Sequence, residues 1–225
     1  MNAAALLGSK IQISSEYCDR HQMQKVQLGN QSICKQCASE ILNQAHQDHA
    51  ASVNQMVREK HFEGAKLPGR HANSGFKEYI TTNDGQKHAK AQCVKFTKDF
   101  LEGITRNLIM VGRTGTGKTH LACAVARNVL EARKYARYVT SEDMANEIAN
   151  AWKKADDNEA NAIWRYTDYD LLILDEYGLH DRHENRLQLV HKVLYARYDA
   201  GKPTMLISDN TNYRLYMESL QPIQR

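Results

Sequence analysis

The chain carries at positions 112–119 the stretch Gly112-Arg113-Thr114-Gly115-Thr116-Gly117-Lys118-Thr119. An apolar run at 108–111 precedes it and a helix-forming segment at 121–127 follows it, so the pattern G-x-x-x-x-G-K-T stands between a predicted strand and a predicted helix. Glycines let consecutive backbone N–H groups approach a polyphosphate closely, and the first turn of the helix adds its positive dipole. The stretch therefore predicts a phosphate loop for a nucleoside triphosphate.

Two side chains of this loop have specific expected roles. The Lys118 ammonium is expected to reach the β- and γ-phosphates, and the Thr119 hydroxyl to hold Mg²⁺. We predict that residues 112–119 bind ATP with Mg²⁺ at Thr119. A turn that is merely rich in glycine and threonine is the alternative interpretation, which the flanking strand and helix disfavour.

A second motif follows downstream, where the apolar run 171–174 leads directly into Asp175 and Glu176. Open parallel sheets bind their ligands at the carboxyl ends of the strands. We expect Asp175 to hold the Mg²⁺ shell and Glu176 to act as the general base that polarises the attacking water. An apolar run that ends in acids is also a common strand end, but after a phosphate loop the pattern is specific.

The run 203–208 repeats this arrangement and leads into Asp209 and Asn210. Either Asn210 or Asp209 would orient the water against the γ-phosphate, and the sequence leaves both positions open. A simple turn after a strand is the alternative.

The apolar runs also predict the architecture. Buried parallel strands are rich in apolar residues, and we predict such strands at 108–111, 135–140, 170–174 and 203–208. Helix-length segments separate them. Strands that alternate with helices predict an α/β fold, a three-layer P-loop core with a parallel sheet.

Four potential zinc ligands lie near the N-terminus: Cys18, His21, Cys34 and Cys37. They form C-x2-H, twelve intervening residues and C-x2-C. Two such knuckles supply a closed tetrahedral Zn²⁺ site with no open position for water, which indicates a structural zinc. A chance cluster of unliganded cysteines is the alternative.

The segments beside these ligands predict a small, mostly helical domain. Residues 22–33 indicate a short hairpin between the knuckles, and residues 38–62, which lack Gly and Pro, indicate a long polar helix. This helix either docks a partner protein or packs against the knuckle. Residues 64–75 have the composition of a linker. We predict a partner-binding domain at 1–63, a linker at 64–75 and an ATPase domain at 76–225.

Composition and charge narrow the class of protein. The chain has 225 residues, 42% hydrophobic and 25% charged, which is ordinary for a globular protein. No apolar run reaches membrane-spanning length, so we expect a cytoplasmic protein without membrane contact. Residues 68–140 hold 13 Lys/Arg against 5 Asp/Glu. This excess suits contact with phosphates or nucleic acid, although a solvated face is the default interpretation.

Five stretches together resemble a known family. They are Ser74–Tyr79, Gly112–Ala122, Tyr138–Asp143, Asp170–Gly178 and Arg197–Asn210. In these stretches the chain resembles the DnaC-type helicase loaders and the related IstB-type transposition ATPases of the AAA+ class. The resemblance covers about residues 67–225.

The resemblance implies an ATPase that assembles with like subunits and loads a hexameric replicative helicase onto single-stranded DNA. It further implies that the N-terminal domain binds the helicase, and the Cys/His knuckle is similar to that of phage and prophage loaders. Family members complete hydrolysis with an arginine from a neighbouring subunit, and Arg225 is the position that the resemblance suggests. Hydrolysis is expected to be slow and to depend on assembly or DNA.

Two other functions remain open at this stage. An IstB-like transposition helper would act on double-stranded DNA with a transposase, and a non-hydrolysing adaptor would use ATP only as a switch. A small-molecule P-loop kinase is disfavoured, because adjacent Asp175 and Glu176 suit the activation of water.

Overall fold

A computed structural model describes residues 12–178 and 184–209. The chain divides into two compact units, Met1–Val57 and Arg58–Arg225. The first contains an antiparallel sheet whose strands lie in the order β1-β2-β3. Strands β1, β2 and β3 are Gln12–Tyr17, Gln24–Leu28 and Gln31–Ile33. Strands β2 and β3 form the hairpin predicted between the two knuckles.

Helix α1, Lys35–Gly64, has no buried residue along its length. Its apolar side chains are largely solvent-exposed, as Ile41 (70%) and Met56 (52%) show. The sequence predicts this helix because it lacks Gly and Pro over 38–62. Its last residues, from Arg58 onward, belong to the second unit, and there Phe62 packs against the core of that same unit.

The second unit alternates helices and strands. Its helices are α2 Asp84–Leu101, α3 Lys118–Glu131, α4 Ser141–Ala151, α5 Glu159–Asp168 and α6 Glu184–Asp199. Its strands are β4 Leu108–Val111, β5 Ala136–Thr140, β6 Leu171–Asp175 and β7 Thr204–Ser208.

The four strands of this unit are parallel and lie in the order β4-β7-β6-β5. Strand β7, the last in sequence among the described strands, therefore separates β4, which leads into residues 112–119, from β6. Successive residues of β6 enter different cores: Leu171 and Ile173 pack with α2 and α3, and Leu172 and Leu174 pack with α4, α5 and α6. Helices thus cover both faces, and the predicted three-layer α/β core is confirmed.

The compact units divide earlier than the predicted linker. Ala65, inside the predicted linker 64–75, is fully buried. Its carbonyl accepts the backbone N–H of Tyr138 at 2.9 Å, and this bond covers the outer edge of β5. The residues that follow Val57 are therefore part of the second unit. The functional division at 1–63, 64–75 and 76–225 stays a prediction.

Arg197 of α6 is completely buried and ties several elements together. Its guanidinium donates to the carbonyls of Tyr166 (2.7 Å), Tyr169 (2.8 Å) and Pro203 (2.6 Å). Burial lowers the pKa of Arg197 to about 9. The carbonyl dipoles at the end of α5 compensate the buried charge, and the same side chain fixes the chain that enters β7.

Cys93 and Cys123, at positions that predict core thiols, are fully buried. Burial raises the pKa of each thiol to about 12, which keeps both protonated and unreactive. Among the helices that the structure describes, none is long and apolar enough to cross a membrane.

Candidate functional site

The stretch 112–119 forms a tight loop between β4 and the start of α3. Gly115 and Gly117 have φ angles of +83° and +87°, a conformation that side chains with a Cβ rarely adopt. A Cβ on Gly117 would also lie 2.5 Å from a ring carbon of Tyr79. The glycine at this position is therefore required by both backbone conformation and packing.

The Lys118 ammonium lies at the centre of the loop. It donates to the carbonyl oxygens of Gly112 (2.9 Å) and Arg113 (3.0 Å). It also forms an ion pair with Asp209, with Nζ and Oδ1 2.5 Å apart. The hydroxyl of Thr114 donates to the other oxygen of Asp209 at 2.7 Å. The residue after β7 thus contacts the phosphate loop directly.

Asp175 lies at the carboxyl end of β6, where it is only 5% exposed. Its Oδ2 accepts hydrogen bonds from the hydroxyls of Thr119 (2.9 Å) and Tyr138 (2.7 Å). A hydroxyl and a carboxylate this close, next to a phosphate loop, offer the hard oxygen ligands that Mg²⁺ prefers. Thr119 and Asp175 therefore fit the magnesium role that the sequence predicts for them.

Glu176 follows in a strained conformation with a φ of +54°. Its backbone N–H donates to Oδ1 of Asp175 at 2.8 Å, and its side chain is exposed. Strain of this kind at a functional site holds a side chain where relaxed backbone would not place it. Glu176 adjoins the Asp175 carboxylate, as its predicted role as a base requires, and that role stays a prediction.

No role is predicted from the sequence for two tyrosines of this site. The Tyr138 hydroxyl supports Asp175, and burial raises the pKa of Tyr138, which keeps it a proton donor. The Tyr79 hydroxyl donates to the carbonyl of Thr116 at 2.8 Å. Both lie within stretches that carry the family resemblance, and this is the signal that would have drawn attention to them.

A cavity of about 410 Å³ adjoins the phosphate loop on its α2 side. Apolar side chains of β4 and α3, together with Tyr79 and Ala89, line it, and Asn83 and Gln86 supply polar groups. Its walls suit a flat, partly polar group. The other predicted site residues, Asn210 and Arg225, lie outside the described residues.

The four N-terminal ligand atoms form a cage within the first unit. The Sγ atoms of Cys18 and Cys37 lie 3.6 Å apart, and His21 Nδ1 lies 3.3–3.7 Å from all three sulfurs. Zinc bonds of about 2.3 Å give a tetrahedron with edges of about 3.8 Å. Cys18, His21, Cys34 and Cys37 therefore fit a closed zinc site.

The backbone of each knuckle prepares the sulfurs for a cation. The N–H of His21 is the main cause that lowers the pKa of Cys18 to about 6, and the N–H of Cys37 lowers the pKa of Cys34. Zinc binds thiolates, so these donors favour the form that it needs. The hydrogen bond to Cys18 raises the pKa of Cys37 to about 11, as expected for sulfurs packed together.

Glu40 holds the imidazole of this cage in place. Its Oε1 lies 3.1 Å from Nε2 of His21, the ring nitrogen opposite the sulfurs. A carboxylate on the outer nitrogen fixes the tautomer and orientation of a zinc-bound histidine. We expect Glu40→Ala to weaken zinc binding by about 10- to 100-fold, measured by competition with a chromophoric chelator. Glu16→Ala, which removes another partly exposed carboxylate of the same unit, should leave the affinity unchanged. Equal affinities of the two variants would contradict this role.

A comparison with known protein families identifies the family to which the chain belongs. The family model described as IstB-like ATP binding protein matches residues 21–221. The chain belongs to this family. The phosphate loop and Asp175 lie within the residues that match the IstB-like ATP binding protein family.

Individual relatives of this IstB-like protein are replication proteins. The replicative helicase loader DnaC of Escherichia coli (strain K12) is 23% identical over 155 residues, 69% of this chain and 63% of the relative. The crystal structure of the DnaC helicase loader has a TM-score of 0.60 at 19% identity and covers 69% of this chain and 90% of that one. The replication initiator DnaA bound to AMPPCP and single-stranded DNA has a TM-score of 0.58 at 21% identity, covering 67% and 45%. These structural likenesses show that the core shares the α/β fold of these two proteins.

Proposed function

We propose that this protein is an ATP-dependent helicase loader that places a hexameric replicative helicase onto single-stranded DNA. The observation that carries the proposal is the nucleotide site on a core that matches most of the DnaC loader structure. The DnaA structure with single-stranded DNA shares this fold and supports a DNA-binding role. In this proposal the protein acts in the cytoplasm and assembles with like subunits, and the Cys/His unit binds the helicase.

The arrangement of side chains suggests how ATP would be used. Lys118 and the loop amides would bind the polyphosphate, and Thr119 and Asp175 would hold Mg²⁺, which screens the phosphate charge. Tyr138 is a positioning residue, because its hydroxyl holds the Asp175 carboxylate. Glu176 would accept a proton from the attacking water.

The cavity beside the loop would hold the nucleoside base. Its volume of about 410 Å³ and its Tyr79 and Ala89 walls suit a purine ring. Asn83 and Gln86 supply the polar groups that would meet the edge of the ring. The base and the phosphates would then lie on the two sides of Gly112, which also lines the cavity.

A second candidate function is that of a transposition helper, which the IstB-like family match favours. Such a protein would use the same nucleotide site on duplex DNA with a transposase as partner. A non-hydrolysing adaptor that uses ATP only as a switch is a third candidate, which a measurement of ATP turnover separates from the other two.

DNA binding separates these candidates. We expect ATP to promote binding to a labelled oligothymidylate, with an affinity that falls as salt rises because phosphate contacts release counterions. In the presence of ATP the protein should also retain the replicative helicase of its host in a pull-down assay. A clear preference for duplex DNA would favour the transposition helper. Failure to retain both DNA and helicase would overturn the loading function.

ATP turnover tests the role of Glu176. Glu176→Gln should reduce turnover by about 100-fold, because the amide cannot accept the proton, while ATP binding persists. The matched control is Glu63→Gln, which changes an exposed carboxylate of α1. Wild-type turnover no faster than that of Glu176→Gln would indicate the adaptor.

A further inference from the structure

The carboxylate of Asp209 occupies donors that the phosphate loop presents to a nucleotide. Lys118 Nζ lies 2.5 Å from one of its oxygens and Thr114 Oγ1 lies 2.7 Å from the other. Phosphate loops bind triphosphates through their lysine and their loop donors. The carboxylate and a terminal phosphate therefore require the same groups.

The sheet fixes the backbone that leads to Asp209, so this residue is not a freely moving surface charge. Residues 205–208 of β7 pair with the whole of β4, and Ser208 lies opposite Val111. One residue further, the N–H of Gly112 donates to the carbonyl of Ser208 at 3.2 Å. The sheet thus delivers Asp209 to the mouth of the loop.

The contact is also poorly screened by solvent. The side chains of Lys118 and Asp209 are only 10% and 26% exposed. Burial alone would raise the pKa of Asp209, but the hydrogen bonds from Lys118 and Thr114 outweigh it and lower the pKa below its usual value. A charged carboxylate is therefore present at neutral pH, and at this depth it repels a second anion strongly.

We propose that Asp209 is an internal competitor of the terminal phosphate, which a nucleoside triphosphate must displace from Lys118 and Thr114. When a triphosphate binds, the Asp209 carboxylate must leave Lys118 and Thr114. A diphosphate lacks the third phosphate and disturbs this contact less. Asp209 thus sets the preference of the site between ATP and ADP.

The proposal rests on ATP binding and is independent of helicase loading. The test measures equilibrium binding of ATP and ADP by calorimetry, with and without Mg²⁺, for the wild type and Asp209→Asn. The amide is uncharged and keeps a hydrogen bond to Thr114, so we expect ATP affinity to rise about tenfold and ADP affinity by no more than about threefold. The gain should appear both with and without Mg²⁺, because it comes from the removal of a competing anion.

Asp199→Asn is the matched control, since it removes an exposed carboxylate at the end of α6 and should change neither affinity. Circular dichroism and thermal unfolding establish that each variant is folded. Unchanged or weaker ATP binding by folded Asp209→Asn would overturn the proposal and place Asp209 among the groups that bind nucleotide. Absence of ATP binding by all three proteins would also overturn it, because the competition needs that ligand. Loss of helicase binding alone would contradict only the loading function.

Discussion

Lys118→Ala is expected to weaken ATP binding by about 1000-fold. Hydrogen bonds to charged groups contribute about 1.5–3 kcal/mol each, and the ammonium is expected to contact two phosphates, so about 4 kcal/mol is lost. The substitution also leaves Asp209 without its ion pair beside the incoming phosphates. Titration with a fluorescent ATP analogue measures the effect.

Lys134→Ala provides the control, because this lysine is exposed in the turn after α3. It removes the same charge and should bind ATP as the wild type does. An alanine at position 118 fits the start of α3 without steric conflict, so we expect Lys118→Ala to fold. Its unfolding transition checks this. An affinity within tenfold of wild type would refute the assignment of residues 112–119 as the phosphate loop.

Cys34→Ser is expected to abolish the folded structure of the N-terminal unit. In small zinc domains metal binding supplies about 10–16 kcal/mol of apparent free energy, which exceeds what three short strands can provide alone. The wild type should hold about one zinc ion per chain. The variant should hold none, and a chelator should have the same effect on the wild type. Metal analysis and limited proteolysis of residues 12–33 measure the two consequences.

Cys93→Ala is the matched control, because this thiol is buried in the core of the second unit. It should keep its zinc, and Cys34→Ser should keep its ATP affinity. A metal-free wild-type protein purified without chelator, together with an unchanged proteolysis pattern in Cys34→Ser, would contradict the zinc site.

The sequence predicts the strands and the phosphate loop well because local chemistry determines both. Predicted and observed limits of β4 coincide at 108–111, since a buried parallel strand is apolar throughout. The glycines and Lys118 of the loop follow from what a polyphosphate needs from a backbone. Such features require no knowledge of distant residues.

Contacts between distant elements are not readable in the same way. Tyr138 meets Asp175 only because β5 pairs with β6, and Glu40 meets His21 only because α1 begins beside the knuckles. Loop composition likewise predicts that residues 64–75 turn, but it does not predict that Ala65 is buried against β5. These contacts depend on tertiary packing, which cannot be read from a single sequence.

The order β4-β7-β6-β5 has a consequence for the time at which the ATP site forms during synthesis. Strand β4 pairs only with β7 in the described sheet, and β7 is made last of the four. Strand β4, which leads into the phosphate loop, can therefore join the sheet only after residues 204–208 have left the ribosome. The Cys/His knuckle needs only contacts between residues close in sequence, so we expect it to fold first. In a nascent chain the Cys/His unit would then be folded before the chain is able to bind ATP.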